Sequence, residues 1–175
     1  WEMNDFMNKT FDVVQYTKKL DNSSTAKLVE NLPDHLMQHP FMQELRIENA
    51  TVKSWDKKSV VIMCGNSLED WADPSLIKGI GGSETAVIYL SRELAKKGYD
   101  VTVFNRCGKL KGDYFGVHYR PYWEFNPKDS FNWFISWRNP DLCTFVTAKQ
   151  VWLWNHDKVD NFDEEVIEKV FASEP

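Results

Sequence analysis

The sequence predicts an α/β fold, an open parallel sheet with helices on its faces. Three observations carry this. Residues 59–65, SVVIMCG, are a short β-branched apolar run of the kind that forms a strand buried on both faces. Residues 78–97 begin with Gly79, Gly81 and Gly82 and continue into apolar residues at helical spacing. Residues 99–105, YDVTVFN, form a second apolar run. Strand, helix, strand in that order is a βαβ unit, with a right-handed crossover and parallel strands.

The helix is expected from Ser83 to Lys97, with Ser83 as N-cap and Glu84 set against the positive end of the helix dipole. Ala86, Val87, Leu90, Leu94 and Ala95 make its apolar stripe, and Gly98 suits the left-handed position that ends a helix. Residues 115–122, 131–137 and 149–155 read as three more strands. Trp133, Trp137, Trp152 and Trp154 lie in these runs and read as core. Together the elements make a Rossmann-like open sheet, with ligands expected at the carboxyl ends of its strands.

Residues 1–57 have a different character: polar, charged and free of glycine. Residues 24–32 suggest a short helix, Pro33 suits the start of a second, and Pro40 ends that one and starts a third. Phe41, Met42 and Leu45 share a face at helical spacing. This segment reads as a helical appendage or linker that docks on the main domain of residues 58–175. His35 and His39, one helical turn apart, read as solvent-exposed, because no third metal ligand accompanies them.

The 175 residues carry a formal net charge of −5, which argues against a general nucleic-acid binder. No apolar run is long enough to span a bilayer and no secretory signal opens the chain, so the expectation is a cytoplasmic protein without a transmembrane segment. Cys64, Cys107 and Cys143 are odd in number and far apart, which fits neither a disulfide framework nor a cysteine-rich zinc site. The Asn-x-Ser/Thr triplets at Asn8, Asn22 and Asn49 read as chance occurrences. A start at Trp1 rather than Met reads as a piece of a longer protein.

The glycine stretch carries the chemistry. A loop that follows a strand and opens a helix offers backbone N–H groups and a positive dipole end to an anion. Gly79, Gly81 and Gly82 let the backbone approach a phosphate without Cβ interference, although a loop that merely needs positive φ would use glycines too. The dinucleotide fingerprint fits poorly. Its third glycine is replaced by Glu84, residues 66–78 stand where a tight turn belongs, and the second strand ends in Phe104-Asn105 rather than an acid. No glycine is followed by Lys-Ser/Thr at Walker A spacing. His156 follows the last apolar run, at the carboxyl end where ligands bind. Asp157 either orients it or caps the next turn, and Arg138 could pair with a carboxylate or phosphate. His118 alternates within a strand and reads as structural.

GIGGSETAVIYLSRELAKKGYDVTVF resembles the opening of the N-terminal domain of GT-B glycosyltransferases, in particular glycosyltransferase family 4, the glycogen-synthase-like group. GVHYRPY, NWFISWRNP and AKQVWLWNHD are similar to later segments of that domain, in order, and the resemblance spans residues 58–160. Tyr99 stands where the family has histidine. The resemblance implies the acceptor-side domain of an enzyme that transfers a sugar from a nucleotide-sugar to a glycan, lipid or protein acceptor, with retention and without a metal cofactor. It implies that Gly79, Gly81, Gly82, Ser83 and Arg138 approach the donor diphosphate or acceptor, and that His156, with Asp157 beside it, reaches the transferred sugar.

The family's donor domain carries two glutamates separated by seven residues, and no two glutamates of this chain have that spacing. The expectation is therefore a domain truncated before its donor-binding half and inactive alone. No Asp-x-Asp metal motif is present; residues 157–160, DKVD, have the wrong spacing. Two other classes compete: a non-catalytic interaction module of the same fold, and a nucleotide- or NAD-binding oxidoreductase domain, which the fingerprint mismatch disfavours.

Overall fold

The computed structural model describes residues 11–13, 15–17 and 19–156. The chain divides into two units at Thr51/Val52. In the first, α1 (Asn22–Glu30), α2 (Asp34–Met37) and α3 (Pro40–Asn49) follow one another with short connections. The caps explain the breaks. The Asp21 carboxylate accepts from Ser24 N, Pro33 precedes α2, and His39 Nδ1 accepts from the Phe41 N–H with Pro40 at the first helical position. His39 is thus a capping side chain, while His35 is exposed. Val29, Leu36, Met37 and Met42 are buried. Phe41 is exposed rather than sharing Met42's burial: at the second position of α3, one residue before Met42, it turns about 100° away from it.

The second unit is an α/β layer structure. Its sheet comprises β1 (Ser59–Gly65), β2 (Asp100–Asn105), β3 (Gly112–Tyr114), β4 (Val117–Pro121), β5 (Ser130–Trp137) and β6 (Thr147–Trp154), in the order β3-β4-β2-β1-β5-β6. All pairings are parallel except β3 with β4. The expected strand at 59–64 is central, flanked by β2 and β5, and its residues Val60, Val61 and Ile62 are fully buried. Upstream, residues 53–55 join the edge of this unit. Ser54 bridges to Ser130, and buried Asp129 accepts from Lys53 N and Trp55 Nε1 at 3.0 and 2.9 Å.

Between β1 and β2 runs α4 (Gly82–Lys96). Its N-cap is Gly81, not Ser83, because the backbone turns helical before Ser83; the Ser83 hydroxyl instead donates to the Glu84 carboxylate at 3.0 Å. At the other end Gly98 has φ +84, with Gly98 N–H bonded to Ala95 O at 2.9 Å and Tyr99 N–H to Leu94 O at 3.2 Å. That pair of bonds is a Schellman cap, and glycine meets its left-handed position without strain. The buried line of α4 is Val87, Ile88 and Ser91, with Leu94 and Ala95 partly covered beside it. The expected stripe missed Ile88 and Ser91, and its Ala86 and Leu90 are only half-buried. Burying Val87 and Ile88 contributes about 1.5–3 kcal/mol each.

The core has two layers, one per sheet face. Val60, Ile62, Val101, Val103, Ile135 and Trp137 pack with α4; Val61, Phe104, Phe125, Phe131 and Phe134 fill the other face, where α5 (Pro140–Phe145) contributes Leu142. The tryptophans divide. Trp137 is buried, Trp133 and Trp154 are half-buried, and Trp152 is 53% exposed, a correction to the core reading. β6 is the last strand of the described sheet, and much of it is exposed. A tight hairpin turn at Phe115-Gly116, φ +50 and +80, joins β3 to β4. No helix of the described residues is long and apolar enough to cross a membrane.

Candidate functional site at the ends of β1 and β5

From β1 the chain travels by way of α4 to β2 on one side, whereas β5 enters on β1's other side. Neighbouring strands whose connections run opposite ways leave a crevice beyond their carboxyl ends, the usual ligand position in open α/β sheets. A cavity of about 610 Å³ lies there. Met63, Cys64 and Gly65 of β1, residues 66–69 beyond it, Glu84 of α4, Trp137, Arg138 and Asn139 at the end of β5, and Leu142 of α5 line it. That volume is in the range that holds a small organic ligand.

The two strands end alike. Gly65 has φ +69 and Arg138 has φ +62. A Cβ at Gly65 would meet nothing within 4 Å, so its backbone angle, not space, calls for glycine there. Arg138 adopts the same left-handed conformation at a cost of about 1–2 kcal/mol. Its N–H donates to the Trp154 carbonyl at 3.0 Å, and its guanidinium lies 4.4 Å over the Trp137 ring. A strained non-glycine residue in a crevice is a functional signal.

Across the cavity, Glu84 stands in the first turn of α4. Its carboxylate folds back over Gly81, so that a Cβ built there would collide with Glu84 Oε2. No side chain caps α4, and this carboxylate answers the positive end of its dipole. The Cys64 thiol feels both charges. Burial pushes its pKa well above the usual value, the Glu84 charge adds to the rise, and Arg138 opposes it. Cys64 is therefore a neutral lining group at physiological pH rather than a nucleophile.

Residues 66–73 form a wall held by hydrogen bonds. Arg106 pairs with Asp70 at 2.7 Å and donates to the Ser67 carbonyl at 3.1 Å. Trp71 Nε1 donates to Ser67 Oγ at 3.1 Å, and Asn105 Nδ2 donates to the Trp71 carbonyl at 2.6 Å. Asn105 ends β2 fully buried, so the strand end where a dinucleotide-binding domain presents its ribose-binding acid is packed against this wall. Further along, Asp73 makes a bidentate pair with Arg92 of α4 at 2.6 and 2.7 Å.

The sequence-predicted residues divide over this geometry. Arg138 lines the cavity. Gly79, Gly81, Gly82 and Ser83 are not among its lining; the three glycines are exposed, and Gly79 has φ +80. Their neighbour Glu84, which the sequence marks only as a helix-start residue, does line it. His156 is exposed beyond β6, its ring 5.1 Å from Trp154 and 6.1 Å from Trp137, within one aromatic cluster with the cavity wall. Asp157 lies outside the described residues. His118 is bracketed by Asp100 and Asp113 at 3.1 and 2.9 Å, in keeping with a structural role. Sequence reasoning missed Asn66, Trp137 and Asn139; the signal available for them was position alone, at the carboxyl ends of two adjacent strands. Among the described residues no group of three or more His, Cys, Asp or Glu is placed to hold a metal ion. No protein-family model, curated protein or solved structure matches the chain.

Proposed function

We propose that the α/β unit is the acceptor-side, N-terminal domain of a GT-B glycosyltransferase of the family 4 kind, acting on a nucleotide-sugar with retention. The observation that carries this reading is the common edge. The glycine loop opening α4 adjoins, through Glu84, the cavity at the ends of β1 and β5, and Arg138 and the Trp137–His156 cluster stand at that same edge. The sequence resemblance assigns its donor and acceptor contacts to the same segments.

In this reading the chain's own groups divide the work. The exposed glycines Gly79, Gly81 and Gly82, which are not among the cavity lining, let the departing diphosphate approach the start of α4 without Cβ interference. Arg138, fixed by its backbone bond to Trp154 and its stack on Trp137, lines the cavity beside that loop and meets the acceptor. His156 approaches the transferred sugar. The nucleotide itself is held by a second domain, as the resemblance implies, so transfer requires both halves to close on the reactants.

The test measures release of nucleoside diphosphate from a panel of UDP-, GDP- and ADP-sugars by the full-length protein and by these 175 residues alone. The proposal expects turnover by the former and none by the latter. Turnover by the 175 residues would contradict the two-domain assignment, and a full-length protein inert with every donor would favour the interaction-module reading.

A further inference from the structure

The charges of the cavity wall are unlike those of a phosphate site. Two of its lining residues, Glu69 and Glu84, are carboxylates, one, Arg138, is a cation, and none is lysine or histidine. Glu84 is half-buried, and its carboxylate lies over Gly81 at the first turn of α4. The polar lining suits hydroxyls, beside the apolar Met63, Leu68 and Leu142. Asn66 and Asn139 offer both donors and acceptors, the carboxylates accept, and Arg138 donates.

From this we infer that the cavity selects uncharged, polyhydroxylated ligands over phosphorylated or carboxylated ones, with Glu84 as the specificity-determining residue. A ligand phosphate placed among these groups meets two carboxylates against one guanidinium, which disfavours it by about fivefold. A neutral sugar gives Glu84 a hydroxyl to accept from and loses nothing. The inference rests on the acceptor-side reading of the same site and narrows it to acceptors whose bound portion is neutral.

Equilibrium binding tests it, so its outcome is separable from that of the transfer assay. Amide and indole NMR signals of the 175-residue chain are followed during titration with glucose, galactose, mannose and maltose, and with glucose 6-phosphate and glucuronate. The expected result is saturable shifts at Gly65, Asn66, Trp137 and Arg138 with the neutral sugars, and about fivefold weaker binding of the two anions. Glu84→Gln should shrink that gap below about twofold, while Glu93→Gln, on an exposed pair with Lys96, should leave it unchanged. Should Glu84→Gln fold poorly, the wild-type comparison at low and high salt serves instead, because screening narrows a gap set by charge. Anionic sugars binding as tightly as neutral ones, or no sugar shifting the cavity signals, would overturn the inference.

Discussion

The Glu84 carboxylate covers Gly81, and Gly81 is the N-cap of α4. A side chain of the first helical turn thus lies over the residue that opens the helix, which separates the roles of the neighbouring glycines. Gly82 is the first helical residue, and a Cβ there meets nothing within 4 Å. Gly82→Ala should raise stability by about 0.4–1 kcal/mol, by restricting the unfolded chain. Gly79 has φ +80, so Gly79→Ala should cost about 1–2 kcal/mol. Melting temperatures in the order Gly82→Ala, wild type, Gly79→Ala are expected; the reverse order would refute the backbone assignment.

Arg138 offers a sharper test of stored strain. Arg138→Gly relieves the left-handed conformation but loses the stack on Trp137, two effects of about 1 kcal/mol each that nearly cancel. Arg138→Ala loses the stack and keeps the strain. Urea denaturation should therefore find the glycine variant more stable than the alanine variant by about 1 kcal/mol. An alanine variant as stable as the glycine one would mean that the position carries no strain.

The Asp73–Arg92 pair fastens the loop after β1 to α4. Asp73 is 4% exposed, and both of its oxygens are engaged. Removing Asp73 leaves the Arg92 guanidinium, 22% exposed, without its two charge-assisted hydrogen bonds, so Asp73→Ala should destabilise by about 1.5–3 kcal/mol. A double-mutant cycle with Arg92→Ala checks it, and a coupling energy near zero would show that the two charges act independently.

All three cysteines are buried, and burial raises the pKa of each thiol, that of Cys107 from its ordinary 9.0 to about 11. Between those two pH values the unfolded chain gives up the Cys107 proton while the folded chain retains it. The unfolded state then binds fewer protons, and stability must fall as pH rises through that window. Urea midpoints from pH 8 to 11 should decline, and Cys107→Ala should flatten part of the decline. At pH 8 a thiol reagent should label all three cysteines in urea and none in the native chain.

Much of the sheet could be read from the sequence. β1, β2 and the run that became β5 are apolar because they are buried on both faces, and Gly98 announced the end of α4. What escaped has identifiable causes. β3 is only three residues long, too short to show an alternating pattern, and the expected strand at 115–122 took in the Phe115-Gly116 turn that joins β3 to β4. The six residues of α5 fall between strands and lack a full stripe. Trp152 carries the same apolar signature as Trp137, yet it lies on the last strand of the described sheet and stays exposed. At the site, Arg138 was legible from its position after a strand. Glu84 was not, since an acidic residue in a first turn reads as a dipole partner until the fold turns it toward a cavity.

We propose that the edge formed by the α4 loop, Arg138 and His156 handles a sugar donor and its acceptor. It is tested most directly by the kcat/KM of sugar transfer in the full-length protein, for wild type, Gly82→Ala and His156→Ala, with melting temperatures measured alongside. Each variant should stay folded and lose about tenfold or more in efficiency, which is about 1.4 kcal/mol or more of transition-state stabilisation. Wild-type efficiency in both folded variants would contradict it, and would leave a non-catalytic module of the same fold as the better description.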